Sequence, residues 1–261
     1  LTNDIRNLSP GNGCRAMLLH ATGKILADMN VTIFQDSVLL DTEMGLEKKL
    51  PGLFDRYLIT EDVQLSDRTE AYVHLALQGP ETPSILKNVF QDEIPSRPLQ
   101  HACLDLDSVP LTLVCLSDQI KTEYQILIPS EKALHAAQKI LASGKQKGLG
   151  PAGFEAWEIL RIERGELRYG RDMGEDTLLP ETGLEKVSAS ETKGCYPGQE
   201  VVARIQTYGG LKRKVTGLIF ERSSLPDSGD KISSGGKEIG WVTSACVSPA
   251  LEKGIALGYL E

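Results

Sequence analysis

The amino-acid sequence predicts an α+β protein, with a mixed region over residues 1–205 followed by a small C-terminal antiparallel β-barrel over residues 206–261. Three observations lead to this prediction. Segments with a 3.6-residue apolar period interleave with alternating, β-branched segments in the first part of the chain. Beyond about Arg204 the chain contains only short strand-like runs separated by glycines, which is typical of a small barrel or sandwich. Hydrophobic residues make up 41% and charged residues 25% of the chain, as in an ordinary globular protein.

The first part of the mixed region reads as three strands and a helix. A turn at 10–13 precedes two strands within 17–34 that are joined at residues 22–23. A third strand follows from Val38. The apolar spacing of 42–57 predicts a helix, and Pro51 predicts a break or two short helices there, because proline lacks the amide proton that a helix interior needs.

From residue 71 to residue 164 the pattern alternates between strands and helices. Ser130 is the expected N-cap of one helix, with Gly144 just past its end, and Gly165 is the expected left-handed terminus of another. The expected strands are 71–77, 109–116 and 123–129, and the expected helices are 81–90, 130–141 and 154–164.

The C-terminal module contains strand-like runs at 214–221, 231–245 and 254–260. Gly235 and Gly236 predict a hairpin turn, because both central positions of such a turn need positive φ. We therefore place the domain boundary near residue 206.

Composition and charge exclude several classes of function. Lys and Arg number 28 against 36 Asp and Glu, so the net charge is −8, and we expect no direct binding of nucleic acid, which requires an excess of cations on one face. No apolar run approaches the ~20 residues of a membrane span, and we expect no contact with a membrane. Residues 11–16 fit G-x-G-x-x-A, but strand-like residues follow where the dinucleotide fingerprint requires a helix.

The five cysteines indicate a reducing compartment. They are odd in number, widely spread and without a C-x-x-C pair, which argues against a disulfide framework and against a metal site held by this chain alone. We expect a cytoplasmic protein, or a protein of an organelle matrix if a leader before Leu1 has been removed.

One cysteine lies in the segment K-G-C-Y-P-G-Q-E, residues 193–200. Its two glycines and its proline predict a loop, so the thiol of Cys195 is expected to be accessible. Lys193 and Arg204 favour the thiolate, the form that attacks electrophiles or binds metal, whereas Glu200 opposes it. The alternative is a turn whose cysteine faces inward as a small hydrophobic residue.

This segment resembles the K-G-C-Y-x-G-Q-E signature of the YgfZ family, folate-binding proteins related to the glycine-cleavage T-protein. The resemblance extends to further blocks in the same order: L-T-N-D at the start, L-Q-G-P, L-R-I-E-R-G-E-L-R-Y-G-R-D, L-P-E-T-G-L, V-V-A-R-I, V-T-S…S-P and the terminal I-A-L-G-Y. It implies a T-protein-like folate-binding α+β region of two subdomains before the C-terminal β-barrel. It also implies tetrahydrofolate, or a one-carbon derivative of it, as the ligand of a central cavity.

The resemblance also implies roles for individual residues. Glu163 matches the position whose carboxylate pairs with the pterin edge, the alternative being a solvated glutamate paired with Arg161 or Arg164. Glu181 is a second candidate carboxylate, the alternative being a cap of the turn that follows it.

Cations are expected near the anionic glutamyl tail of folate. Arg204 and the cluster at 212–214 are the candidates, although a solvated basic turn accounts equally well for that cluster. Lys193 and Tyr196 of the signature are assigned to the folate site with them.

The implied activity is tetrahydrofolate binding in the assembly or repair of iron–sulfur clusters, with iron–sulfur assembly or client proteins as partners and effects on enzymes such as tRNA-thiolating ones. Cys195 is the residue expected to carry it. One thiol cannot hold a cluster, because such centres normally take four protein ligands, so the expected contact with a cluster is transient. Reaction of the thiol with a folate-borne one-carbon unit, or a mixed disulfide, remains open.

The alternative activity is that of a tetrahydrofolate-dependent aminomethyltransferase or methyltransferase of the T-protein type. In such proteins a strand after a glycine turn ends in an acidic pair, and this chain reads G-K-I-L-A-D there. Asp28 keeps the second acid and is the candidate catalytic group as a hydrogen-bond acceptor or general base. Ala27 replaces the first acid, and this departure puts glycine-cleavage activity in doubt.

Overall fold

The computed structural model describes residues 1–117, 121–221 and 224–261. The strands are β1 (Gly13–Leu19), β2 (Ile25–Ile33), β3 (Val38–Thr42), β4 (Tyr72–Gln78), β5 (His101–Leu106), β6 (Val109–Cys115), β7 (Glu123–Pro129), β8 (Lys214–Phe220), β9 (Lys231–Ser234), β10 (Lys237–Ser248) and β11 (Lys253–Leu260). The helices are α1 (Leu50–Asp55), α2 (Thr82–Phe90), α3 (Ala133–Gly144), α4 (Phe154–Glu163), α5 (Leu179–Thr182), α6 (Glu185–Ser188) and α7 (Gln199–Tyr208).

The strands form three sheets, with the orders β1-β2-β3, β4-β7-β6-β5 and β8-β11-β10-β9. In the last sheet β10 pairs antiparallel with both β9 and β11, and β11 pairs antiparallel with β8. Gly235 and Gly236 have φ of +57° and +79° and join β9 to β10, so the predicted hairpin turn is confirmed. The α+β class with a C-terminal module of antiparallel strands is confirmed as well.

Contacts between residues divide the chain into two compact units. The first unit, here the C-terminal unit, combines Leu1–Asp4 and Arg15–Met29 with Ala152–Glu261. The second, the middle unit, combines Ile5–Cys14 with Asn30–Pro151. Residue 206 lies within α7, and the division at that point into 1–205 and 206–261 stays a prediction.

Each unit has its own apolar core. The middle unit buries α2 and α3 against the sheet of β4 to β7, through side chains such as Leu86, Leu113 and Ile126. The C-terminal unit buries Met17 and Ile25 with residues of α4, α7 and β11. Full burial of one such side chain contributes about 1.5–3 kcal/mol, so each core is a large part of its unit's stability.

Several predicted elements differ from those observed. The helix expected over 42–57 is reduced to α1, because Pro51 lies in its first turn, where the missing amide proton costs nothing. Ser130 does not cap a helix: its hydroxyl donates to the carbonyl of Glu70, and α3 begins at Ala133 after a 3₁₀ turn. Gly165 has the expected positive φ, +70°, directly after α4 and Arg164.

Four elements are absent from the sequence-based prediction: the short helices α5 and α6, helix α7 and strand β5. Helix α7 follows the K-G-C-Y-P-G segment, in a stretch for which no helix is predicted. Strand β5, also not predicted, pairs antiparallel with β6.

Candidate functional site

The predicted loop at 193–198 is present, and a glycine fixes it against the turn between β1 and β2. Gly198 has φ +80°, and a Cβ there would lie 2.6 Å from the carbonyl oxygen of His20 and 2.9 Å from Cα of Gly23. Helix α7 starts at the next residue, and Val201 on it lies 3.0 Å from where a Cβ of Gly23 would be. Two backbones therefore approach each other here as closely as glycine alone allows.

Two further residues of this loop are engaged by the fold. The ammonium of Lys193 donates to the backbone carbonyls of Leu1, at 2.6 Å, and Asn3, at 3.1 Å. The ring of Tyr196 packs against the core of the C-terminal unit, and this burial raises the pKa of its hydroxyl. Contact of Lys193 or Tyr196 with a folate stays a prediction.

Cys195 lies between these anchored residues and is exposed. The alternative of an inward-facing cysteine is therefore wrong. At the neighbouring Gly194 a Cβ would meet no heavy atom within 4 Å, so the tip of the loop is open on this side. Cys195 lines neither of two cavities in the described part of the chain.

One of these cavities, here the α7 cavity, brings together two predicted site residues. Its volume is about 880 Å³. Glu181 and Arg204 both line it, together with Lys212 of the predicted basic cluster. The remaining lining residues are Ala21, Thr22, Leu178, Val201, Ile205, Tyr208, Gly209, Gly210 and Leu211. Two cations therefore border a cavity of a size that small-molecule sites commonly have.

Glu181 is buried and has partners within the chain. Its carboxylate accepts the amide of Leu178 at 3.0 Å, across the start of α5, and the guanidinium of Arg213 at 3.0 Å. Arg213 in turn lies over the rings of Trp241 and Tyr259, 5.0 and 5.1 Å from their centroids. Glu181 therefore caps the start of the helix to which it belongs, and not the turn that follows it, and the charge of Arg213 is committed to this pair. Folate contact by Glu181 stays a prediction.

Asp28 is held by an arginine that the sequence did not single out. Its carboxylate accepts two hydrogen bonds from Arg15, at 2.9 Å from Nε and 2.5 Å from Nη2, with the Asp28 side chain only 13% exposed. Such a bidentate pair fixes both the position and the plane of the carboxylate. The prediction missed Arg15, because nothing in the sequence marks it beyond its place in a neighbouring strand.

Glu163 ends α4 and is half-buried beside β10. Its carboxylate accepts a hydrogen bond of 2.5 Å from the hydroxyl of Ser248. The alternative pairing with Arg161 is wrong, because Arg161 pairs with Glu158 at 2.8 Å and with the buried Asp172 at 2.6 Å. Burial and the neighbouring charge of Glu163 raise the pKa of the Cys246 thiol.

The described residues, 1–117, 121–221 and 224–261, contain neither a candidate metal-binding cluster nor a helix that could span a membrane. In these ranges no group of three or more His, Cys, Asp or Glu side chains is placed to hold a metal ion. None of the helices in the described part of the chain is long and apolar enough to cross a bilayer.

Comparison with known families covers most of the chain. Residues 1–191 match the GCVT N-terminal domain, and residues 213–261 match the glycine cleavage T-protein C-terminal barrel domain.

Individual proteins are more distantly similar. A putative chloroplastic transferase of Arabidopsis thaliana is 28% identical over the whole of this chain, which spans 59% of that protein's length. Aminomethyltransferases of Caldanaerobacter subterraneus and Bacillus subtilis are 28% and 27% identical, and this chain spans 70% and 72% of them. The crystal structure of glycine cleavage system aminomethyltransferase T from Bartonella henselae superposes with a TM-score of 0.82 at 21% identity, over 97% of this chain and 69% of that one. At this level of identity, the structural similarity shows a shared fold alone.

Proposed function

The chain belongs to the family defined by the GCVT N-terminal domain and the glycine cleavage T-protein C-terminal barrel domain, and from this premise we propose that it binds tetrahydrofolate or a one-carbon derivative. Members of this family bind tetrahydrofolate. The observation that carries the proposal is the family match over residues 1–191, which includes Asp28, Glu163 and Glu181.

Glu163 is the group we assign to the pterin. A carboxylate offers about four acceptor positions, so one hydrogen bond from Ser248 leaves capacity for the two donors of an amino-pyrimidinone edge. A half-buried carboxylate makes such charge-assisted bonds strong, because little water competes for them. The Ser248 bond also orients the carboxylate before the ligand arrives.

The α7 cavity is the place we assign to the acidic glutamyl tail. Arg204 and Lys212 line it, and both carry the charge that attracts a carboxylate. Arg213 of the same basic cluster is bound to Glu181, so we assign it to the stability of the cavity wall.

Transfer of an aminomethyl group to tetrahydrofolate is the first candidate activity. It is supported by the similarity to proteins named aminomethyltransferase. In this activity Asp28 is the central group, and its pair with Arg15 suits a fixed hydrogen-bond acceptor for a nitrogen of the ligand.

Assembly or repair of iron–sulfur clusters is the second candidate. A specific observation favours it: Lys193, Tyr196 and Gly198 are engaged by the fold, whereas Cys195 between them is exposed. A thiol that the fold does not need is available for a partner. In this activity the cluster is cargo, and a partner protein or small molecule supplies the other ligands.

A turnover assay separates the two candidates. The protein is supplied with an aminomethylated carrier protein and tetrahydrofolate, and methylene-tetrahydrofolate and ammonia are measured. Aminomethyl transfer predicts turnover that survives Cys195→Ala and is lost in Asp28→Ala. The iron–sulfur activity predicts no turnover, together with a loss of cluster-enzyme rescue in Cys195→Ser when the variant is expressed in cells lacking the protein.

A binding titration tests the premise that the two candidate activities share. Fluorescence of the wild type with 5-formyltetrahydrofolate tests the shared premise, since both candidates require saturable binding. Cys195→Ser is the matched control there, because an exposed loop thiol is expected to leave the affinity unchanged.

A further inference from the structure

Arg15 forms an ion pair with Asp28, a candidate functional residue, and has no role of its own in the function proposed above. It lies on β1, and Asp28 lies on β2. The two bonds between them, 2.9 Å to Oδ1 and 2.5 Å to Oδ2, use both carboxylate oxygens. Only 27% of the Arg15 side chain is exposed, against 13% for Asp28, so the pair is largely removed from water.

Arg15 is itself held in place. The amide of Asn3 donates to its backbone carbonyl at 2.9 Å. Burial lowers the pKa of Arg15, but the hydrogen bonds and charge of Asp28, together with the charge of Glu166, outweigh burial and raise it. Arg15 therefore stays a cation across the pH range in which proteins are folded.

The geometry limits what Asp28 does. Two of about four acceptor positions of its carboxylate are occupied by Arg15, so two remain for a ligand. The pair therefore holds the carboxylate in one orientation and leaves acceptor positions for hydrogen bonds from a ligand.

We propose that Arg15 is a positioning residue that fixes the Asp28 carboxylate as a hydrogen-bond acceptor for an N–H group of the folate ligand, an inference that rests on the proposed function. Arg15 acts through Asp28 and does not touch the ligand.

A double-mutant cycle in ligand affinity tests the proposal. The four proteins are the wild type, Arg15→Gln, Asp28→Asn and the double variant, each titrated with 5-formyltetrahydrofolate by calorimetry. Without the fixed orientation of Asp28, the ligand loses its hydrogen bond to that charged carboxylate, so Arg15→Gln in the wild-type background should weaken binding about tenfold or more. In the Asp28→Asn background the same change should weaken binding less than about twofold, because the group through which it acts is already altered.

The conservative variant adds a second readout. Arg15→Lys keeps the positive charge but cannot make two parallel hydrogen bonds to the carboxylate. The affinity of this variant for 5-formyltetrahydrofolate should therefore fall between those of the wild type and Arg15→Gln. It also carries the test if Arg15→Gln does not fold. Thermal unfolding of all variants identifies any that are not native at the titration temperature.

The outcomes are distinct. An equal loss of affinity in both backgrounds overturns the proposal, since a merely structural role would produce it, and so does unchanged affinity in a folded Arg15→Gln. No saturable binding by the wild type defeats the proposed function itself, and the Arg15 proposal with it.

Discussion

Gly198 offers the sharpest test of how the K-G-C-Y-P-G-Q-E segment is held. The perturbation is Gly198→Ala. A methyl group there would lie 2.6 Å from the carbonyl oxygen of His20 and 2.9 Å from Cα of Gly23. Both are backbone atoms, so no side-chain rotation relieves the contact.

Two costs add at this position. The φ of +80° is left-handed, and that conformation costs an L-residue about 1–2 kcal/mol. Overpacking against backbone costs about 1–3 kcal/mol more. We expect a total loss of about 2–5 kcal/mol, which lowers the melting temperature by about 4–20 °C for a protein of this size.

Tryptophan fluorescence is a suitable assay for this change. The chain has two tryptophans, Trp157 and Trp241, and both belong to the C-terminal unit together with Gly198. Unfolding by urea or heat, followed at the tryptophan emission, therefore reports on the unit that the substitution perturbs.

Gly194→Ala is the matched control. It lies in the same loop, has no heavy atom within 4 Å of its Cβ position and carries no left-handed φ. We expect a change within about 0.5 kcal/mol. Indistinguishable unfolding curves for the two alanine variants would refute the close approach of α7 to the β1–β2 turn.

Three further predictions concern other residues. Glu163→Gln should weaken 5-formyltetrahydrofolate binding by about 1–3 kcal/mol, because it removes a charged hydrogen bond; calorimetry measures this, and an unchanged affinity means that another carboxylate pairs with the pterin. Cys195→Ser should leave the melting temperature and folate affinity unchanged, and should abolish rescue of cluster enzymes if the iron–sulfur activity is the true one; full rescue would end the thiol hypothesis. Burial lowers the pKa of His101. His101 therefore contributes stability above its unfolded pKa of about 6.5, and this stability is lost as the pH falls through that value. His101→Gln should flatten this dependence in circular-dichroism melts between about pH 5 and 7, and parallel curves for wild type and His101→Gln would contradict the assignment.

The parts of the fold that local pattern determines were predictable. Strands β6 and β7 alternate or run apolar between turn residues, and α2 and α4 show helical spacing and end close to the predicted residues. The exposed loop at Cys195 also follows from local chemistry, because Gly194, Pro197 and Gly198 exclude regular structure there.

The parts set by distant partners were not predictable. Glu181 and Arg213 are 32 residues apart in the chain, and no local pattern marks their ion pair. Arg15 became a site residue only through its contact with Asp28. In the sequence Gly198 is recognisable only as a turn residue. The structure shows why a glycine is needed there, because its backbone approaches the carbonyl oxygen of His20 too closely for a side chain.

Calorimetric titration of the wild-type chain with 5-formyltetrahydrofolate tests the central claim most directly. Reduced-folate binding predicts a saturable, one-to-one isotherm. A flat isotherm from a protein that unfolds cooperatively, and is therefore native, would contradict it.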